Sequence, residues 1–211
     1  MPQDMHTFFP HFGKHVYPDW VHCEGITKLT LEDVAYAQSW GGAVKLIGSV
    51  KKLDDGKILP MVAPRFVCSG CQLSGIDDVF NGIMICGDGF DRVMFYGRGA
   101  GKLPTASAVL GDVIDCAKHS CTIDSQLWED SADNSFIADH KEAEVQMYVR
   151  TIGADKSEIS ALFADAEFLS REGQPEGELA FITAPEKEKE IDEKLAKLGE
   201  KVCGKIRLLD M

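Results

Sequence analysis

Residues 145–209 constrain the fold most, because short runs of two different periods alternate there. A strand is predicted over 145–151, a helix over 156–164, strands over 167–170 and 179–183, a helix over 187–198 and a strand over 205–209. This is βαββαβ, the split motif in which interleaved halves share one sheet. A chain with that order must give its two helices a sheet to cover, since each has an apolar stripe to bury.

The residues ahead of this motif alternate in the same way. Thr30 can cap a helix with Asp33 in the capping-box position, and Leu31, Val34, Ala35 and Gln38 recur at helical spacing until Gly41-Gly42 ends it. Strands over 43–53 and 57–66 flank Asp54-Asp55-Gly56, a hairpin signal, and a second apolar pair over 78–86 and 90–96 flanks Gly87-Asp88-Gly89. Four strands are thus available for one sheet. A glycine-rich loop then enters a helix over 104–119 with proline in its first turn, its Ala106, Val109, Val113, Ile114 and Ala117 sharing a face. Phe8, Phe9, Phe12, Tyr17 and Trp20 mark residues 1–22 as irregular chain whose packing partners are missing from the sequence. Residues 120–141 read as an acidic linker anchored by Trp128, Phe136 and Ile137. The expected organisation is a portion over 1–119, a linker over 120–142 and a module over 143–211. The expected fold class is α+β, a mixed or antiparallel sheet with helices on one face, followed by a ferredoxin-like module.

Charge and composition exclude several functions. A net charge of −12, with no basic stripe interleaved with aromatics, argues against a nucleic-acid partner. The longest apolar run is far short of the about 20 residues of a membrane span. The first residues lack the pattern of a secretory signal, and seven scattered cysteines suit reduced thiols, so a cytoplasmic protein is expected. The acidic stretches 129–144 and 172–193 read as solvated surface. Cys68-Ser69-Gly70-Cys71 is the one spacing that suits metal or redox chemistry, but no second pair follows it and no metal is predicted. His22, beside Cys23, could add a ligand only if the fold brought it near. His6, His11, His15, His119 and His140 read as surface or tail residues.

The most informative stretch is Phe95-Tyr96-Gly97-Arg98-Gly99-Ala100-Gly101-Lys102-Leu103-Pro104-Thr105, a strand passing through three alternating glycines onto a helix. Glycines admit a ligand close to the backbone, and the first turn of the helix offers N–H groups to an anion. A tight turn needing positive φ explains the same glycines, so the pattern leaves both readings open. Neither a P-loop nor a dinucleotide-binding fingerprint is present.

Four segments occur here in the order and approximate spacing found in homoserine dehydrogenases: Glu24-Gly25-Ile26, Val44-Lys45-Leu46-Ile47-Gly48, Val79-Phe80-Asn81-Gly82, and the glycine loop running through Pro104-Thr105-Ala106-Ser107-Ala108-Val109. The chain resembles that family over residues 12–119. The resemblance implies NAD(P)-linked interconversion of L-aspartate 4-semialdehyde and L-homoserine. It places Gly101, Gly99 and Gly97 at the cofactor, with Thr105 as a further contact or a helix cap. Glu24 would touch the substrate's amine or serve as a plain turn residue. The family's G-x-D-x-x-x-K signature, with the acid/base lysine, is not in this sequence, and neither is a nucleotide-binding domain. The expected consequence is a chain inactive by itself, or one completed by a separate NAD(P)-binding chain. Lys45 is better read as a structural strand lysine than as a substitute acid/base.

Residues 143–211 resemble the ACT domain that ends many such enzymes, where a D-R-P-G-V-L turn receives an amino-acid effector. Here the turn reads Asp155-Lys156-Ser157-Glu158-Ile159, without proline or glycine and with a carboxylate added, which disfavours an effector's own carboxylate. A homodimer is expected. The choice between NADP and NAD is not written in these residues. A non-enzymatic amino-acid-binding or dimerising module, and a truncated ordinary enzyme, are the rival readings.

Overall fold

The computed structural model describes residues 15–119 and 133–209. Phe8, Phe9 and Phe12 of the irregular N-terminal stretch, and the anchor Trp128, lie outside them. In chain order the elements are β1 His22–Cys23, α1 Leu31–Ser39, β2 Gly42–Lys52, β3 Ile58–Cys68, β4 Phe80–Gly87, β5 Asp91–Arg98, α2 Lys102–Lys118, β6 Glu144–Val145, β7 Met147–Ile152, α3 Lys156–Leu162, β8 Glu167–Leu169, β9 Glu178–Ile182, β10 Glu186–Lys187, α4 Glu188–Leu198 and β11 Val202–Leu208. The contacts divide the chain into two compact units, Met1–Ser69 with Trp128–Met211, and Gly70–Leu127.

The larger unit is built on a seven-stranded mixed sheet in the order β1-β3-β11-β7-β9-β8, with β2 also on β3. Strand β3 is its hub. Ile58 through Val67 are all buried, as expected of a strand covered on both faces and paired on both edges. Antiparallel β2 occupies one edge for its full length, from Gly42 opposite Cys68 to Lys52 opposite Ile58. The turn between them forms as the sequence predicts, with Gly56 at φ 82° and the Lys57 N–H donating to Asp55 Oδ1 at 3.0 Å. Two short parallel pairings share the other edge of β3: His22 and Cys23 opposite Met61 and Val62, and Arg207 and Leu208 opposite Arg65 and Phe66.

The predicted βαββαβ order forms, and its last strand β11 stands beside its first, β7, followed by β9 and β8, all antiparallel. The expected helix placement is corrected. Met147, Val149 and Phe181 point into a core with Ile159 and Phe163 of α3 and Ile191, Leu195 and Leu198 of α4. Tyr148, Ala180, Ile182 and Ile206, on the opposite face, pack with Tyr36 and Ala37 of α1 and with Phe66 of β3. Helices therefore cover both faces. Strand alternation forces this, because neighbouring residues of β7 and β9 point to opposite sides and both sides are apolar. The expected succession of 1–119, 120–142 and 143–211 also differs from the compact units, since β11 joins the early strand β3.

Helix α1 begins where its sequence says. Thr30 Oγ1 accepts from the Asp33 N–H, and the Asp33 carboxylate accepts from the Thr30 N–H at 3.1 Å, completing the capping box. The irregular chain before β1 finds the partner it was expected to lack: Trp20 meets Phe136 edge-on at 6.0 Å, and Val16 is buried with Ile58 and Val62. Phe136 and Ile137 anchor their segment through Ile58, whose N–H donates to the Phe136 carbonyl at 2.9 Å.

The smaller unit is the antiparallel pair β4–β5, in register from Phe80 opposite Arg98 to Gly87 opposite Asp91, followed by α2. These two strands form their own sheet and do not extend the larger one, which corrects the expectation of four strands together. The apolar face expected of α2 is not buried, since Val109, Val113 and Ile114 are exposed.

Candidate functional site

The passage from β5 to α2 gives each of its three glycines a different circumstance. Gly97 is still in the ladder, opposite Asn81, with open space where a side chain would be. A Cβ at Gly99 would overlap the side-chain amide of Asn81, so a larger residue here would have to displace that amide. Gly101 stands at φ 122°, a conformation that penalises any side chain, and it is the residue from which α2 starts. Thr105 is not the cap; its own N–H donates to the Gly101 carbonyl at 3.1 Å. Gly101 carries no capping side chain, so the first turn of α2 opens with backbone donors alone.

Glu24 belongs to the larger unit. It follows β1 and its N–H donates to the Val62 carbonyl at 2.7 Å, which sets it beside β11 on the shared edge of β3. There Arg207 reaches it with both terminal nitrogens: Nη1 to Oε2 and Nη2 to Oε1, each at 2.8 Å. Arg207 also donates through Nε to Glu188 Oε2 at 2.7 Å, and Nη2 reaches the other Glu188 oxygen. Arg207 and Glu188 are buried while Glu24 is half exposed. Glu188 was expected to be solvated, as was Glu178, and both are buried; charge alone identifies an acidic residue but not the cation that will meet it in the fold.

His22 completes the cluster. Its Nε2 lies 2.7 Å from Glu24 Oε1, and its ring stacks on that of His140 with centroids 3.5 Å apart. No sequence spacing signals this pair, because it depends on residues 139–142 returning against β1. The rings line an open cleft of about 580 Å³, bounded also by Trp20, Cys23, Pro60 and Asp139. Burial first, and then the charge of His22, hold the His140 imidazole below its usual range. Among the described residues no group of three or more His, Cys, Asp and Glu side chains is placed to hold a metal ion. Lys45 lies mid-strand in β2, in register with Arg65.

Burial works against ionisation of Glu24, but hydrogen bonds from Arg207 and His22 outweigh it and bring its pKa from an ordinary 4.5 down to about 2. A carboxyl with a depressed folded-state pKa contributes stability that is complete above its unfolded value and is lost as pH falls toward the folded one. The destabilisation caused by Glu24→Gln, read from urea midpoints, is therefore expected to be largest at neutral pH and to shrink as pH falls below 4.5. A gap that stays constant down to pH about 3 would mean that the contact is not ionic.

The sequence-predicted residues thus divide: Gly97, Gly99, Gly101 and Thr105 lie in one unit and Glu24 in the other. A sequence profile of the homoserine dehydrogenase family matches residues 10–114, a stretch that contains all five. Over 107 residues the chain is 41% identical to the homoserine dehydrogenase of Synechocystis sp., covering 49% of this chain and 25% of that protein. It is 34% identical over 145 residues to that of Helicobacter pylori, covering 67% and 34%, and 33% identical over 162 residues to that of Corynebacterium glutamicum, covering 73% and 36%. The chain spans a quarter to about a third of the length of these relatives. Its fold is shared with the crystal structure of a homoserine dehydrogenase from Thiobacillus denitrificans at 23% identity, with a TM-score of 0.76 over 97% of this chain and 51% of that one. A Staphylococcus aureus homoserine dehydrogenase gives 0.76 over 98% and 52%. Through residues 10–114, the chain belongs to the homoserine dehydrogenase family.

Proposed function

We propose that this chain contributes the part of a cytoplasmic, homodimeric homoserine dehydrogenase that lies outside its nucleotide-binding domain but borders the cofactor. The reaction is the NAD(P)-dependent interconversion of L-aspartate 4-semialdehyde and L-homoserine. The observation that carries this reading is the passage from β5 through Gly97, Gly99 and Gly101 into the uncapped first turn of α2, inside the family-matched stretch. It suits a phosphate-bearing cofactor: a bare helix start offers N–H donors, and Gly97 leaves its backbone face open. Gly97, Gly99, Gly101 and Thr105 would hold NADP or NAD, which when bound supplies or accepts the hydride. The part of this chain is to place backbone donors and the Glu24 carboxylate, which stays ionised at neutral pH and so can receive a substrate's ammonium group.

A proton-transferring lysine in a G-x-D-x-x-x-K setting is not among these 211 residues. General acid/base catalysis needs a group within hydrogen-bond reach of the moving proton, so on this reading a partner chain supplies that lysine, or the chain by itself is inactive. Residues 143–211 would serve as a ferredoxin-like, ACT-like module. In its effector turn the Glu158 carboxylate is held by Lys201 Nζ at 2.7 Å, which occupies the position and argues for assembly as the module's main role.

The test is homoserine oxidation with NAD and with NADP, followed as reduced-nicotinamide absorbance. The 211-residue chain alone is expected to give no rate above background. Adding the nucleotide-binding portion of a curated relative is expected to produce one that disappears when Gly97 to Gly101 are deleted. A rate from the chain alone would overturn its incompleteness. No rate in any combination would favour a non-enzymatic module.

A further inference from the structure

The two-sided hold on Glu24 has a direction. Arg207 sits in β11, the last strand of the C-terminal module, and is fixed from beneath by Glu188 at the start of α4 in the same module. Its outer face grips both oxygens of Glu24, which lies more than 180 residues earlier in the chain. The meeting is possible because β1 and β11 lie end to end along one edge of β3. A guanidinium that presents paired N–H donors to two carboxylates fixes their planes as well as their charge, which a lysine cannot do. The other neighbours of Glu24 do not fix it in this way: His22 touches one oxygen, and His140 touches the His22 ring.

We infer that Arg207 is a positioning residue for Glu24, so that the C-terminal module completes the carboxylate that receives the substrate's amine. The inference rests on the reading of Glu24 as the amine contact. It gives the module a task at the substrate site that is independent of any effector: a change in the seat of β11 or α4 would move the carboxylate directly.

The test uses the full chain, with the Glu24 side-chain carbon assigned by NMR and titrated with L-homoserine and with 4-hydroxybutyrate, which lacks the amine. Arg207→Lys keeps a cation over Glu188 and is the variant to rely on, because Arg207→Met leaves a buried carboxylate unpaired and is at risk of not folding. The wild-type chain is expected to respond to homoserine far more strongly than to 4-hydroxybutyrate. Arg207→Lys is expected to lose roughly tenfold in homoserine affinity while its weak response to 4-hydroxybutyrate stays as it was. Unchanged discrimination between the two ligands in Arg207→Lys would overturn the positioning role and leave Glu24 as the amine contact. If Glu24 does not respond to homoserine in the wild-type chain, or if Glu24→Gln binds it equally well, the reading of Glu24 fails and the inference with it.

Discussion

Replacing Arg150 with methionine is expected to cost the larger unit about 3–5 kcal/mol of stability, because it strands a buried carboxylate. Arg150 of β7 donates through Nε to Asp33 Oδ1 at 2.8 Å, through Nη1 to Glu178 Oε2 at 3.4 Å and through Nη2 to Thr30 Oγ1 at 3.1 Å. Asp33 is 1% exposed and Glu178 4%. The two acids do not lose equally. Glu178 keeps Arg171, whose Nε and Nη2 donate to Oε1 at 3.0 and 2.8 Å, and the Tyr36 hydroxyl at 3.0 Å. Among the described residues, Asp33 keeps neutral donors: the Tyr148 hydroxyl at 3.1 Å and the Thr30 hydroxyl and N–H of its own capping box. The cost should therefore fall on Asp33, and Asp33→Asn introduced beside Arg150→Met should recover much of it. Urea unfolding at pH 7, monitored on the larger unit, measures both. A loss below about 1 kcal/mol from the single change would place the pair among solvated surface bridges and refute this account of the interior.

Phe66→Ala should be comparably damaging, by about 3–5 kcal/mol, for a different reason. Phe66 is fully buried on β3 and its ring stacks on Tyr148 of β7 with centroids 4.2 Å apart, while Trp40 closes the site at 6.0 Å. It also sits opposite Leu208, at the step where β11 joins β3. Truncation removes the contact area of a whole aromatic ring and leaves a cavity walled by backbone that two sheet edges hold in place, so little collapse can offset the loss. A fall in melting temperature on the order of 10 °C follows for a unit of this size. Phe66→Leu, which keeps most of the volume, should cost well under half as much. Equal effects from the two variants would show that the ring's stacking, and not its bulk, is what β3 contributes.

Both sites show where sequence reading ends. The capping box of Thr30 and Asp33 was legible because it is a contact between residues three apart, with a side-chain and backbone logic that does not depend on the rest of the fold. What was not legible is that Asp33 also carries Arg150 and Tyr148. The hairpin around Asp54-Asp55-Gly56 could be read from its turn chemistry, and the glycine loop from its alternation. That Gly99 makes room for Asn81 while Gly101 supplies a positive φ required coordinates. The acidic stretch containing Glu178 and Glu188 looked solvated because solvation and burial with a guanidinium leave the same trace in composition.

The local elements, their order, and the residues that carry the family resemblance were determined by the sequence alone, because turn, cap and periodicity signals act over a few residues. The tertiary structure decided which strands share an edge. By placing β1 and β11 end to end on β3, it brought Glu24 to Arg207 and His22 to His140. That pairing rests on backbone hydrogen bonds and buried apolar faces that many strands could satisfy, and the choice among them belongs to the packing of the whole unit.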